Sequence, residues 1–334
     1  MKKLPAKIIE GILRLRHALY DRKILRSYKV DIPVIIIGNL NLGGAGKTPF
    51  TEYLIELLSD TYRLAVLSRG YGRKSKGFRL LKEGDGWRES GDEPHQIFRR
   101  YGSRVHVAVD ADRVHGIREL QRLVRSDIIL LDDAFQHRRL ASGFRILLTP
   151  FNKPFTEDDL FPMGSLRDLP QRAKTADLIV LTKVPDDKME EASAKKAKIE
   201  AMTGKPVLIY HLEHGEPYQG NKSLDWSDLE GKQYVLVTGI ANPVPMLDFL
   251  SGKNINFVPL LFPDHAEYGR RRLQKIRSVL KKYKARGIIT TEKDKQKLED
   301  AGFEPIVVPV RFRSKDEQIL KQKIYAYVNS RKFI

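Results

Sequence analysis

The 334-residue chain contains no cysteine, which excludes disulfide staples and thiolate metal sites. It also lacks any long apolar run. Val34 to Ile37 and Ile128 to Leu131 are of buried-strand length, far short of the roughly 20 residues needed to cross a bilayer. A secretory leader is not expected, because Glu10, Arg14 and Arg16 interrupt the stretch after Met1-Lys2-Lys3 where its apolar segment would lie. No internal repeat and no low-complexity segment is visible. These absences lead to the expectation of a protein that stays in the cytoplasm.

What the chain has in excess is positive charge: 60 Lys plus Arg against 42 Asp plus Glu, a net +18. Such a surplus points to an anionic partner, whether nucleic acid, a phospholipid surface or a phosphorylated small molecule. Part of it is local. Residues 1–29 hold nine cations (Lys2, Lys3, Lys7, Arg14, Arg16, Arg22, Lys23, Arg26, Lys29) and two anions (Glu10, Asp21). Within them the spacing of Ile8, Ile12, Leu15 and Leu19 after Pro5 predicts a helix over 5–26. An apolar stripe with basic flanks suits a helix lying on an anionic membrane; it equally suits a helix docked on its own core with solvated cations.

Beyond it, short apolar runs at 34–38, 64–68, 105–109, 127–131, 145–148 and 178–181 alternate with helical patterns at 49–59, 111–125 and 187–202. That alternation predicts an α/β fold, a mostly parallel sheet covered by helices on both faces. A second alternation, from strand 234–238 to strand 305–310, predicts a smaller α/β domain. The expected organisation is a first domain over 1–213, a turn-rich linker at 214–226 (Gly215, Pro217, Gly220, Asn221), a second domain over 227–310, and a helical tail 311–334 that returns to the first domain.

The strongest chemical signal is Val34-Ile-Ile-Ile-Gly-Asn-Leu-Asn-Leu-Gly-Gly-Ala-Gly-Lys47-Thr48-Pro49. An apolar strand, a glycine-rich turn and Lys-Thr opening a helix form the order a phosphate loop requires: glycines let backbone N–H groups approach the anion, and the helix N-terminus adds its positive end. The candidate nucleotide-binding residues are Asn41, Gly43, Gly44, Ala45, Gly46, Lys47 and Thr48. Lys47 is expected on the β- and γ-phosphates and the Thr48 hydroxyl on Mg²⁺. Asn41 stands where the strict pattern has glycine, and asparagine tolerates the left-handed conformation better than most residues. The usual partner is also present: Asp127-Ile-Ile-Leu-Leu ends in Asp132-Asp133, candidate metal ligands at a strand tip.

Further clusters follow strands: Ser68-Arg-Gly-Tyr-Gly72, Gly91-Asp92-Glu93-Pro94, Asp132-Asp-Ala-Phe-Gln-His137, Phe262-Pro-Asp-His265 and Thr290-Thr-Glu-Lys-Asp294. Together with Pro162-x-Gly-x-Leu-Arg167, and in this order after the phosphate loop, they resemble the tetraacyldisaccharide 4′-kinase family of lipid A synthesis over residues 30 to 310. Ala134 stands where glycine is common in that family, and Asp168 where Glu usually follows the arginine. The resemblance implies a P-loop NTPase-type fold and ATP-dependent, Mg²⁺-assisted phosphorylation of the 4′-hydroxyl of a lipid-anchored disaccharide at the inner face of the cytoplasmic membrane. It also implies a base pair of Asp92 and His265, drawn from opposite domains by the boundary above, so that catalysis requires domain closure.

An Asp can hold a His tautomer and raise its basicity toward an acceptor hydroxyl. His137 is a second candidate, substrate-facing or structural. Arg69, Arg73 and Arg167 are candidate anchors for an anionic substrate, since guanidinium forks suit phosphate geometry. Two rival classes draw on the same residues. A GTPase is weakened because Leu181-Thr-Lys183 is followed by Pro185 where a guanine-reading loop has Asp, and a metallochaperone because the eight histidines are scattered. A basic ATPase that binds nucleic acid would explain +18, yet no aromatic-basic recognition module is present.

Overall fold

The computed structural model describes residues 3–264 and 266–331, and the chain divides into two units. Unit 1 comprises Met1–Leu212 and Phe312–Ile334, and unit 2 comprises Glu213–Arg311. Unit 1 is built on an eight-stranded sheet. Its strands in chain order are β1 (Val34–Asn39), β2 (Leu64–Ser68), β3 (Arg79–Leu80), β4 (His106–Val109), β5 (Ile128–Leu131), β6 (Phe144–Pro150), β7 (Leu178–Thr182) and β8 (Val207–Ile209). In space they run β3-β4-β2-β5-β1-β6-β7-β8, all parallel except the β3 edge. Helices α1 (Lys3–Asp21), α2 (Lys47–Leu58), α3 (Trp87–Ser90), α4 (Asp92–Tyr101), α5 (Arg113–Leu123) and α6 (Met189–Thr203) connect or cover them.

The sequence dictates this layering because strands buried on both faces must be apolar throughout. β1, β2, β5 and β7 are buried at every position. On one face Ile35 and Ile37 pack with Phe50, Leu54 and Leu58 of α2 and with Leu320, Ile324 and Val328 of the C-terminal helix Glu317–Arg331. On the other face Leu147, Ile179 and Ile199 form one cluster, and Ala65, Leu67, Ile117 and Leu120 another. The register matters most at the centre: Ile36 of β1 lies beside Leu131 of β5, so the loop after β1 and the carboxylates after β5 emerge side by side at the carboxyl edge.

Two strands, β3 and β8, carry no sequence signal because they are two and three residues long. The turn-rich stretch 214–226 is not a linker. Tyr218–Gln219 and Lys222–Ser223 form a hairpin that pairs with Ile306–Val308 at the edge of unit 2's sheet, turning at Gly220 with φ 60°. The glycine and polar residues read as a boundary are the turn of that hairpin. The rest of unit 2 is a parallel core of Asn256–Leu261, Gln233–Thr238, Gly287–Thr291 and Ile306–Val308, with helices Val244–Gly252, Arg270–Lys282 and Glu292–Glu299.

The expected N-terminal helix is α1, which stops at Asp21 rather than 26; Lys23 at φ 58° follows. Most of its apolar stripe faces outward: Ile8, Ile12 and Leu15 are 57, 61 and 62% exposed, with Leu4 beside them at 69%, while Leu19 is half-buried. The helix is held to unit 1 by another face, on which His17 is buried. Among the described residues no helix is long and apolar enough to cross a membrane.

Because Ile324 is fully buried against the α2 face, Ile324→Ala leaves a cavity and lowers unfolding free energy by about 2–4 kcal/mol. Urea denaturation checks this; a loss below about 1 kcal/mol contradicts the packing role of the C-terminal helix.

Candidate active site

The loop between β1 and α2 takes its shape from Gly43, Gly44 and Gly46, with φ of 71°, 72° and 81°. Gly46 is doubly constrained, since a Cβ there would also meet Phe312 Cζ at 2.9 Å. No side chain caps α2, which leaves its first N–H groups for an anion. Asn41 does not supply the left-handed turn expected of it. It is held in an antiparallel bridge with Leu166, and its Nδ2 donates to Asp158 Oδ2 at 2.9 Å.

Lys47 Nζ donates to Asn39 Oδ1 at 3.3 Å and lies 3.8 Å from Asp133 Oδ1. Asn39, wholly buried at the end of β1, also accepts from Arg167 Nη2 at 2.7 Å and donates through Nδ2 to the Asn41 carbonyl at 2.9 Å. Arg167 reaches both Asp133 oxygens, Nη1 to Oδ2 at 3.1 Å and Nη2 to Oδ1. Burial alone would raise the Asp133 pKa, but Lys47, the Arg167 hydrogen bond and Arg113 together hold it below the usual carboxylate range.

Asp132 behaves in the opposite way. It is fully buried, accepts from Thr51 Oγ1 at 3.3 Å through Oδ1, and has no partner on Oδ2. Burial first, then the fields of Glu93 and Asp133, push its pKa well above the usual range. Thr48, the second residue of α2, is also buried. Behind the strand tip, the buried Arg113 guanidinium donates to the carbonyls of Asp110 at 2.6 Å, Asp132 at 3.3 Å and Asp133 at 3.4 Å. Burial lowers its pKa to about 10, so it stays cationic at neutral pH. Lys183 follows β7 at φ 60°, and burial together with Lys47 lowers its pKa. A methyl at Gly46 would lie 3.8 Å from its Cε, which places this lysine at the phosphate loop.

The remaining candidates divide. Asp92 opens α4 after Gly91 at φ 93°, where a Cβ would meet the Tyr71 carbonyl at 2.9 Å; the Ser68–Gly72 and Gly91–Pro94 loops therefore touch. Arg69 is exposed, with a field that reaches Arg113. Arg73 is not a free anchor: it donates to Gly77 O at 2.6 Å, Ser75 Oγ at 3.3 Å and Val109 O at 3.4 Å, bracing its own loop. Arg167 is likewise committed to Asp133 and Asn39. His137 is half-buried, and burial followed by Arg113 lowers its pKa to about 4, so it is neutral at pH 7.

His265 lies outside the described residues. Around it in unit 2, Lys293 Nζ donates to Asp264 at 2.5 Å and Lys297 Nζ to the Ala266 carbonyl at 3.1 Å. The Thr290–Asp294 motif resolves as a structural hub: Asp294, fully buried, accepts from Thr238 Oγ1, Gly239 N and Tyr268 Oη at 3.0, 2.8 and 3.0 Å.

Asn39, Thr51 and Arg113 were not singled out by sequence, and Lys183 was read only against a guanine-reading loop, not as part of the phosphate site. Asn39 had a visible signal, a lone polar residue ending an apolar strand directly before the loop. Arg113 had none, being one arginine among many.

A family model described as tetraacyldisaccharide-1-P 4′-kinase matches residues 4–329. The chain belongs to the tetraacyldisaccharide 4′-kinase family. The tetraacyldisaccharide 4′-kinase of Flavobacterium johnsoniae is 40% identical over 301 residues, covering 89% of this chain and 87% of the relative. That of Parabacteroides distasonis is 39% identical over 312 residues, covering 89% and 83%. Among solved structures, LpxK from Aquifex aeolicus in complex with ATP superposes with a TM-score of 0.79 at 30% identity, covering 97% of this chain and 98% of its own. Membership of the 4′-kinase family accounts for the α/β fold and replaces the GTPase, metallochaperone and nucleic-acid readings.

His137 also yields a pH prediction. With the folded pKa near 4 and the ordinary value 6.5, the unfolded chain binds more protons between them. Stability from this group is complete above about 6.5 and falls as pH drops toward 4. Thermal unfolding at pH 7.5 and 5 should show a smaller loss for His137→Asn than for the wild type; equal losses contradict a buried neutral imidazole.

Proposed function

We infer that the protein is an ATP-dependent kinase that phosphorylates the 4′-hydroxyl of tetraacyldisaccharide 1-phosphate in lipid A biosynthesis. The observation that carries this is the uncapped α2 N-terminus with Lys47 held over Asn39 and Asp133, in a chain whose ATP-bound relative shares its fold. The phosphate loop takes the triphosphate, and Lys47 moves from Asn39 to the β- and γ-phosphates, where its charge offsets that of the transferring group.

Thr48, Asp132 and Asp133 fit Mg²⁺. The partnerless buried Oδ2 of Asp132, on a carboxyl that burial pushes toward neutrality, is the observation that favours a cation there. Bound by Thr48, Asp132 and Asp133, Mg²⁺ would supply positive charge against the charge that develops on the transferring group. The acceptor 4′-oxygen attacks the γ-phosphorus in line, the bond from that phosphorus to the β,γ-bridging oxygen breaks, and ADP leaves. Asp92 and His265 supply the base: the imidazole takes the hydroxyl proton, and the carboxylate sets its tautomer. Exposed Arg69 is the available anchor for an anionic substrate group.

The enzyme works as a peripheral protein on the inner face of the cytoplasmic membrane. Support comes from α1, whose stripe of Leu4, Ile8, Ile12 and Leu15 faces outward within a segment carrying seven surplus positive charges.

Purified protein incubated with labelled ATP and tetraacyldisaccharide 1-phosphate should yield a bisphosphorylated lipid; its absence overturns the assignment. Lys47→Ala, Asp92→Ala and His265→Ala should each lower turnover by about 100-fold or more, with only a modest effect on ATP affinity for the last two. Wild-type turnover in the Asp92 and His265 variants removes the base assignment. The Ile8→Ser/Ile12→Ser variant should co-sediment less with anionic vesicles than the wild type, and equal co-sedimentation contradicts membrane seating of α1.

A further inference from the structure

The apolar stripe of α1 leaves one feature of the helix unexplained, a buried polar contact on the side away from the stripe. His17 is 6% exposed and lies 2.6 Å from Asp168, which is 1% exposed. The hydrogen-bond network fixes the direction of that bond. Arg138 Nη1 donates to His17 Nδ1 at 3.3 Å, so the ring proton sits on Nε2 and is donated to Asp168 Oδ1. Burial lowers the His17 pKa despite Asp168, in keeping with a neutral imidazole. Arg138 also donates to the His17 carbonyl at 3.0 Å and to Asp21 at 2.5 Å, fixing the helix backbone as well as the ring.

The partner of His17 is no ordinary surface residue. Asp168 directly follows Arg167, whose guanidinium holds Asn39 and Asp133. The segment carrying both is stapled to the phosphate loop from its other side: Leu42 N donates to Ser165 O at 2.6 Å, and Arg167 N donates to Leu40 O at 2.8 Å. A second route runs in parallel. Arg16 Nη2 donates to the Gln136 carbonyl at 3.0 Å, and Gln136 Nε2 donates to the Asn39 carbonyl at 2.8 Å. Adjacent residues of α1 thus reach Asn39 by two independent paths, and Asn39 holds Lys47.

A helix needed only as a membrane anchor could be tethered by any apolar contact. Burying an imidazole against a carboxylate costs desolvation, and the pair confers a fixed geometry that an apolar contact would not. We propose that His17 is a positioning residue for phosphoryl transfer: by holding Asp168 it sets the Arg167 guanidinium on Asn39 and Asp133, so that the seat of the lipid-facing helix is part of the phosphate site. Displacing α1 moves Arg167, and with it the oxygens that hold Lys47 in register. The proposal rests on the reading of this loop as the ATP site of a lipid kinase.

The test uses the full-length protein, detergent-dispersed tetraacyldisaccharide 1-phosphate and saturating ATP, with vesicle co-sedimentation measured in parallel. His17→Ala should lower kcat about tenfold or more while co-sedimentation with anionic vesicles stays within about twofold of the wild type. His17→Gln, whose amide nitrogen occupies nearly the place of Nε2 and still donates, should recover most of the lost kcat. Retained kcat in His17→Ala, a loss of kcat that tracks loss of vesicle binding, or no recovery in His17→Gln overturns the proposal. If His17→Ala does not fold, Asp168→Asn decides: it keeps the shape and weakens the acceptor, and wild-type kcat there is equally contrary. A wild-type protein that makes no bisphosphorylated lipid refutes the kinase reading instead, before any variant is compared.

Discussion

The structure turns on one constraint: Lys47 must be held extended at the mouth of the phosphate loop. An unpaired ammonium in such a place would fold back into solvent. Asn39 solves this with a neutral oxygen, and Asp133 adds a carboxylate 3.8 Å away that Arg167 fixes in orientation. A neutral carbonyl is a weaker partner than a carboxylate, so Lys47 can leave Asn39 for a phosphate at little cost. Arg113 and Lys183 also lie nearby, so four cations surround the two carboxylates of the strand tip.

The fold supplies this arrangement through register. Ile36 beside Leu131 brings the β1 loop and the β5 tip together, and the antiparallel bridge from Asn41 to Leu166 brings Arg167 in from a segment about 125 residues away in sequence. That distance explains what sequence did and did not reveal. Local order was legible, because Gly43 to Thr48 and Asp132-Asp133 are contiguous patterns with a mechanism attached. The alternation of strands and helices was legible along both halves of the chain. Arg167 was found through its motif, but its commitment to Asp133 was not, since pairing across the fold leaves no local mark. Arg73 differs, because its partners Ser75 and Gly77 are local: an arginine that braces its own loop reads in sequence like one that awaits a substrate. The hairpin at 218–223 was hidden because turn residues look alike in linkers and in edge hairpins.

The charge balance also reads differently in three dimensions. Residues 1–29 account for a surplus of seven, yet residues 270–286 contain nine cations and no carboxylate. Within α1 the charge and the exposed stripe belong to the same helix, while its third face carries Arg16 and His17 into unit 1. One element thus presents an exposed apolar stripe on one side and reaches toward Asn39 on the other, and its sequence must satisfy both.

The account depends on Asn39 and Arg167 acting as one unit on Lys47. The direct measurement is a double-mutant cycle on kcat/KM for ATP with Asn39→Ala, Arg167→Ala and the double variant. The account predicts strong non-additivity, with the double variant little worse than the more damaging single one and a coupling of about 1–3 kcal/mol. Additive losses, with a coupling within about 0.5 kcal/mol of zero, would contradict it.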